Sequence, residues 1–351
     1  GQRQRCQYIR DQWARDTQLD MGQVSSHGTY VHLYVNGLYW GMYNLVERPS
    51  APFAAAYLGG DKEEYDALNS ASPVDGNGTA WSTLLSRVRA DLSSDANYLR
   101  VLEYLDVDSF IDYMLVNLYG ANNDWPHHNW YAARNRIDPG DGFEFFVWDQ
   151  EIVLDGRFRD RTTVGTSSNH QMTPAELYDK LRYSPEFRLH FADRAATHLY
   201  DDGALTVEAN RARWQTRADE VEAAIIAESA RGGDAREGDW VTVDSGAPSV
   251  TIPTMTVDHW RAARDEVASY FPQSEDLLIE RLRARGLFPQ VDVPHFSLPT
   301  GTVAPGAELT LSAPVGTIYY TLDGSDPRLR GGAIAPGAVI ASGPIPLSGT
   351  T

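Results

Sequence analysis

The chain of 351 residues carries 48 acidic against 30 basic side chains, a formal net charge of -18, with 42% hydrophobic residues. That acidic excess argues against nucleic-acid binding, which needs a basic footprint, and no apolar run approaches the ~18 residues of a membrane span. Cys6 is the single cysteine, so neither an internal disulfide nor a cysteine zinc cluster can form. The only lysines are Lys62 and Lys180, which leaves few candidates for any chemistry that needs one.

Tyr8 to Met21 reads as a helix that stops near Gly22. Residues 29–35 alternate and are rich in strand formers; Asn36-Gly37 follows, then a second such run over 38–46. Asn-Gly between two strand-like runs predicts a hairpin, because both turn positions favour positive φ. The stretch 61–79 is polar and Gly-rich and reads as loop. From 80 to 120 the period is helical, and the apolar run from Val107 to Leu118 is opened by Asp106 or Asp108 as a cap. Two short strands are expected over 129–134 and 143–148, separated by the turn composition of 138–142. Residues 174–229 are mostly helical with breaks at 184–185 and 201–203, and 231–253 is a loop with one short strand. Helices over 256–270 and 274–285 end at Gly286. The proline-bearing stretch after 288 reads as a linker, and beyond it only strand-like patterns survive. The expected organisation is an α+β domain over 1–288, a linker over 289–295 and a small all-β module over 296–351. The chain starts without methionine and ends inside a strand-like pattern, so it reads as a piece of a longer protein whose β module lacks a closing strand.

The segment Asn122-Asn123-Asp124-Trp125-Pro126-His127-His128-Asn129 leaves a buried helix and enters a strand. An Asp with an Asn five positions later in such a loop suits phosphoryl transfer. The Asp accepts the proton of the attacking hydroxyl and the Asn holds a metal on the nucleotide phosphates. The plainer alternative is a turn held by side-chain hydrogen bonds. Asp149 and Glu151 end the second strand, and their spacing of two puts both on one face. Oxygen ligands of that kind suit Mg²⁺ or Mn²⁺; otherwise Asp149 caps a turn and Glu151 pairs with Arg157, Arg159 or Arg161. His127 and His128 are possible zinc ligands, but no third ligand follows at a family spacing, so they read as turn and surface histidines. No G-x-S-x-G or H-E-x-x-H motif is present.

Three stretches resemble the CotH-type family, that of spore coat protein H: 29–49 (TYVHLYVNGLYWGMYNLVERP), 106–130 (DVDSFIDYMLVNLYGANNDWPHHNW) and 143–151 (FEFFVWDQE). Residues 228–234 and the closing helix add to the likeness, although Arg231-Gly232-Gly233-Asp234 stands where the family often has Arg-Trp-Gly-Asp. The resemblance implies an atypical protein kinase using ATP and Mg²⁺, with Asp124 as base or substrate orienter and Asn129 and Asp149 as metal ligands. With no lysine at a phosphate position, Arg48 or Arg10 is expected to serve, with Glu47 as its partner. The Asn36-Gly37 hairpin, with Gly41, is expected to cover the phosphates. Residues 316–328 resemble the chitobiase/β-hexosaminidase C-terminal module, an immunoglobulin-like accessory sandwich of secreted bacterial proteins. The expected activity is phosphoryl transfer to serine or threonine of secreted or envelope proteins. A non-catalytic surface or adhesion protein with a kinase-like fold is the alternative. A carbohydrate-active enzyme is disfavoured, because no separate carboxylate pair stands out.

Overall fold

The computed structural model describes residues 7–140, 142–155, 159–165, 167–235, 237–238, 240–241, 250–251, 254–298, 301–304 and 306–347. Cys6 and Arg157 lie outside them. Helix α1 (Arg10–Asp20) is followed by Gly22 at φ +84°, a conformation in which a side chain is strained. Strands β1 (Gly28–Val35) and β2 (Leu38–Val46) form the hairpin that Asn36-Gly37 predicts, with the turn residues at φ +52° and +77°. After α2 (Ala51–Leu58) come β3 (Tyr65–Asn69) and β4 (Ser72–Asp75). The region read as a polar loop thus supplies half of a sheet. With β5 (Trp130–Asn135) and β6 (Glu144–Val147) they form an antiparallel sheet of order β4-β3-β5-β6.

Both faces of that sheet are covered. Leu68, Trp130, Ala132, Phe145 and Val147 belong to the main core, while Ala67, Tyr131, Ala133 and Phe146 pack with Phe53 and Ala54 of α2. On the main-core side lie α3 (Thr79–Val88), α4 (Asp95–Leu102) and α5 (Val107–Tyr119). Helix α5 starts where Asp106, one of the two expected caps, accepts from the Ser109 amide at 2.9 Å. It is buried from Ser109 to Tyr119, so apolar residues fill most of its positions. Aromatic rings bind the helices to the sheet: Phe110 meets Phe145 edge-on at 5.1 Å and Trp81 meets Trp130 at 5.4 Å. The open edge of β6 is closed by one side chain of α1. Gln18 donates to the Phe145 carbonyl at 2.6 Å and accepts from the Val147 amide at 3.1 Å, as a neighbouring strand would.

Helices α6 (Pro174–Leu181), α7 (Pro185–Leu199), α8 (Val207–Gly232), α9 (Val257–Ala268) and α10 (Phe271–Ala284) complete the domain, with a two-residue ladder between β7 (Trp240–Val241) and β8 (Val250–Thr251). The hairpin was expected against β5 and β6; instead β1 and β2 form their own sheet and lean on α8. Glu228 of α8 accepts from the Tyr39 hydroxyl at 2.7 Å and the Met42 amide at 2.6 Å, and Arg231 donates to the Tyr39 carbonyl. Gly41 sits beside this carboxylate at φ +141°, where a Cβ would stand 3.4 Å from it.

Among the described residues from 296 to 347 there is no helix. The strands pair as three separate short ladders: β9 (His295–Phe296) with β11 (Leu311–Ser312), β10 (Glu308–Leu309) with β14 (Ile345–Pro346), and β12 (Tyr319–Tyr320) with β13 (Val339–Ile340). This segment docks on the helical domain through a bidentate pair, Arg328 to Glu186 at 2.9 and 3.0 Å, supported by the Gly331 amide. Arg330 reaches Asp95 at 3.1 Å.

Candidate active site

The loop leaving α5 is positioned by a buried amide. Asn122, 1% exposed, donates to Asn117 Oδ1 at 2.9 Å and to Gln150 Oε1 at 2.8 Å, while its own Oδ1 accepts from the Asp124 amide at 3.1 Å. The residue before Asp124's loop and the residue after Asp149 therefore share one hydrogen-bonded trio. Two indoles fix the rest of the loop. Trp125 donates to the Tyr113 hydroxyl, and Trp130 donates to the Pro126 carbonyl at 3.0 Å. Arg161 donates to the Trp125 carbonyl at 2.7 Å. Buried donors and acceptors that find partners in this way hold a loop in one shape.

Asn129 adopts φ +65° and turns its amide onto Asp124, donating to the carbonyl at 3.0 Å and to Oδ2 at 3.2 Å. Its nitrogen is used, which leaves Oδ1 as the free end of the amide. Asp124 Oδ1 faces His128 Nε2 at 3.0 Å. The strand register places the segment of the second carboxylate at the same end of the β5–β6 pair. Trp130 is opposite Val147, so Asn129 and Asp149 lie one and two residues beyond the same rung. Asp149 also takes a left-handed backbone, φ +56°. Such conformations in non-glycine residues cost about 1–3 kcal/mol and cluster at functional sites.

Asp149 is exposed and its carboxyl is hydrogen-bonded to Glu151. Desolvation by surrounding atoms, that hydrogen bond, and the charges of Asp149 and Asp11 push the Glu151 carboxyl up to about 7. A cation bound beside the two carboxyls would relieve the same repulsion. Asp11 of α1 accepts from the Gln150 amide at 2.8 Å and pairs with Arg15 at 2.5 Å; Arg15, 1% exposed at its side chain, also reaches Asn44 of β2. Helix α1 thus bridges the hairpin and the Asp149 segment.

The other expected residues are spread more widely. Arg48 is exposed and its Nε donates to the Tyr131 hydroxyl at 3.1 Å; Tyr131 also receives Asn69 and meets Trp148 edge-on at 5.2 Å. No carboxylate among the described residues pairs with Arg48, so Glu47 is not its partner. Glu47 instead accepts from the His27 amide at 2.9 Å and the Tyr57 hydroxyl at 2.8 Å. Burial opposes ionisation of Glu47, but the His27 and Tyr57 hydrogen bonds outweigh it and hold its pKa below the usual range. Arg10 is buried and committed to the Gln7 side chain and the Val153 carbonyl. Asn36 and Gly37 form the hairpin tip. Sequence reasoning missed Asp11, Arg15, Asn122 and Gln150. The adjacency of Asn122 and Gln150 to acidic site residues was the available signal.

A buried helix, a carboxylate–amide loop, two paired strands and a second carboxylate at their end are the layout of a kinase-like α+β domain. Comparison with known families agrees: residues 4–225 match the CotH kinase protein family, and the chain belongs to it. A comparison with curated proteins finds no match.

Proposed function

We propose that the protein is an atypical kinase, transferring a phosphoryl group from Mg-ATP to a serine or threonine hydroxyl of a secreted or envelope protein. The observation that carries this reading is the Asn122–Gln150 bridge, which ties the Asp124–Asn129 loop to the Asp149 segment inside a CotH kinase domain. The donor set fits a hard dication: an exposed Asp149 carboxylate, the Glu151 carboxyl beside it, and an Asn129 amide whose oxygen is its free end. Asn129, Asp149 and Glu151 would hold Mg²⁺ or Mn²⁺, which supplies charge neutralisation on the phosphates. Asp124 accepts the hydroxyl proton or orients the hydroxyl. Its Oδ2 is fixed by Asn129, and its Oδ1 faces His128 at 35% side-chain exposure, within reach of an entering substrate. Arg48 serves as the phosphate cation and Asn36-Gly37 as the cover.

In this reading residues 1–288 are the catalytic domain, 289–295 the linker, and 296–351 an accessory β module of the chitobiase C-terminal type, on a protein exported from a bacterial cell. No nucleic-acid partner is expected of so acidic a chain. The second reading, a non-catalytic surface protein, is favoured by one observation: Lys62 and Lys180 both lie beside carboxylates, Glu63 and Asp179, at 3.7 and 3.5 Å.

The test is transfer of labelled phosphate from ATP by wild type, Asp149→Ala and Asp124→Ala. Asp149→Ala loses Mg-dependent nucleotide binding and transfer together. Asp124→Ala keeps nucleotide binding and slows transfer by about 10²–10⁴-fold. Wild-type protein that neither binds Mg-ATP nor transfers phosphate returns the choice to the binding module.

A further inference from the structure

His127 and His128 find no third ligand downstream, but the structure supplies one upstream. Asp124 lies three and four positions before them, and one ligand atom from each of the three residues falls within 4.8 Å of the other two. His128 Nε2 already stands 3.0 Å from Asp124 Oδ1, and the two imidazoles meet edge to face with centroids 3.9 Å apart. Ligand atoms on a tetrahedral dication with bonds of about 2.0–2.1 Å stand roughly 3.3 Å apart. Closing the set therefore asks the side-chain ends to approach by at most about 1.5 Å.

That backbone is held independently of the three side chains, by the Trp125, Trp130, Arg161 and Asn129 hydrogen bonds. Asn129 also holds the second carboxylate oxygen of Asp124 at 3.2 Å, the outer-sphere support that orients a ligating carboxylate. His127 is exposed and the other two are half-buried, so solvent reaches the fourth position.

We infer that this loop binds one first-row transition-metal dication of the imidazole-preferring class, Zn²⁺ or a neighbour, through Asp124, His127 and His128, with water completing the shell. Two imidazoles and one carboxylate select such ions over Mg²⁺, which prefers oxygen throughout. The position is distinct from the all-oxygen one of Asn129, Asp149 and Glu151. Arg161 places positive charge against the loop, so affinity comes from direct ligation and not from the local field. Binding stands without the phosphotransfer reading. Its consequence rests on that reading: with one Asp124 oxygen bonded to the metal and the other held by Asn129, the carboxylate loses basicity toward a hydroxyl proton, so the ion inhibits.

The experiment titrates the full chain, stripped with a chelator, with Zn²⁺ against a chromophoric indicator, and records the visible spectrum with Co²⁺. Wild type takes up one Zn²⁺. His127→Ala and His128→Ala each weaken binding by about tenfold or more, the Co²⁺ bands vanish in the double variant, and excess Mg²⁺ does not displace Zn²⁺. Metal-free melting curves of the variants match wild type. A double variant that binds Zn²⁺ as wild type does, Zn²⁺ displaced by Mg²⁺, or no stoichiometric uptake would each overturn the site. The ratio of phosphate transfer with and without Zn²⁺ should fall for wild type and stay near one for the double variant. Wild type that binds Zn²⁺ through these histidines but transfers no phosphate under any condition supports the metal site and removes the kinase reading alone.

Discussion

Replacing Asn122 by alanine should separate the two halves of the candidate site. The substitution removes three hydrogen bonds, to Asn117, Gln150 and Asp124. Each is worth about 1 kcal/mol net. Asn117 and Gln150 are both 0% exposed, so their oxygens lose a donor where water cannot replace it. An orphaned buried acceptor costs about 1–3 kcal/mol, part of which is already counted in the lost bond. The expected loss is about 3–4 kcal/mol, a large fraction of the roughly 5–15 kcal/mol that stabilises a domain. At about 2–4 °C per kcal/mol for a domain of this size, the melting temperature falls by about 6–16 °C. Calorimetry or a circular-dichroism melt reads the shift. Asn97→Ala is the control, since that exposed amide makes one hydrogen bond, to the Asp91 carbonyl. An Asn122→Ala protein melting within about 2 °C of the control would refute the claim that this trio joins the loops.

Arg48→Ala should raise KM for ATP about tenfold, a loss of about 1.4 kcal/mol, with kcat changed far less and Arg48→Lys in between; steady-state kinetics showing an unchanged KM removes Arg48 from the phosphate site. Glu228→Ala strips the Tyr39 and Met42 bonds from the hairpin. Hydrogen exchange should accelerate across 28–46 while core amides of α5 stay protected; uniform protection would show that the anchor is dispensable. Burial raises the Glu176 carboxyl, but the Arg89 fork at 2.7 and 2.9 Å and the Met172 amide outweigh it and leave its pKa lowered. A carboxyl depressed in the folded state stabilises above its unfolded pKa of about 4.3 and loses that contribution as pH falls through the lower folded value. The melting-temperature gap between wild type and Glu176→Gln should be full at neutral pH and shrink only below about 4.3; a gap independent of pH would disprove the assignment.

Local signals explain which parts of the fold were legible in the sequence. The Asp106 cap, the apolar run of α5 and the Asn36-Gly37 turn each act within a few residues, and all three stand where expected. Strand β3 was not legible, because its residues 65–68 are all buried and show no alternation, and its pairing depends on β5 about 65 positions away. The site divided in the same way. Asp124, Asn129 and Asp149 stand out by spacing, and the β5–β6 register places Asn129 and Asp149 just beyond the same end of the strand pair. Asn122, Gln150 and Asp11 carry no motif; their roles exist only once α1, the loop and the strand end meet. The histidine pair has no third donor at a family spacing downstream; the third donor, Asp124, stands before it.

Helix α8 runs for 26 residues, about 39 Å at 1.5 Å per residue. One end is clamped to α1 by Arg213 on Asp20 and Arg217 on Asp16, and the other grips the hairpin through Glu228. The hairpin is therefore a passenger on a strut and not a free flap. Tilting it toward the Asp149 segment means either dragging the whole rod across α1 or breaking the Glu228 bonds first. A force that draws the hairpin off α8 thus loads those clamps at the opposite end, so the stiffness of α8, more than suppleness at the Asn36-Gly37 tip, sets how far the hairpin can move.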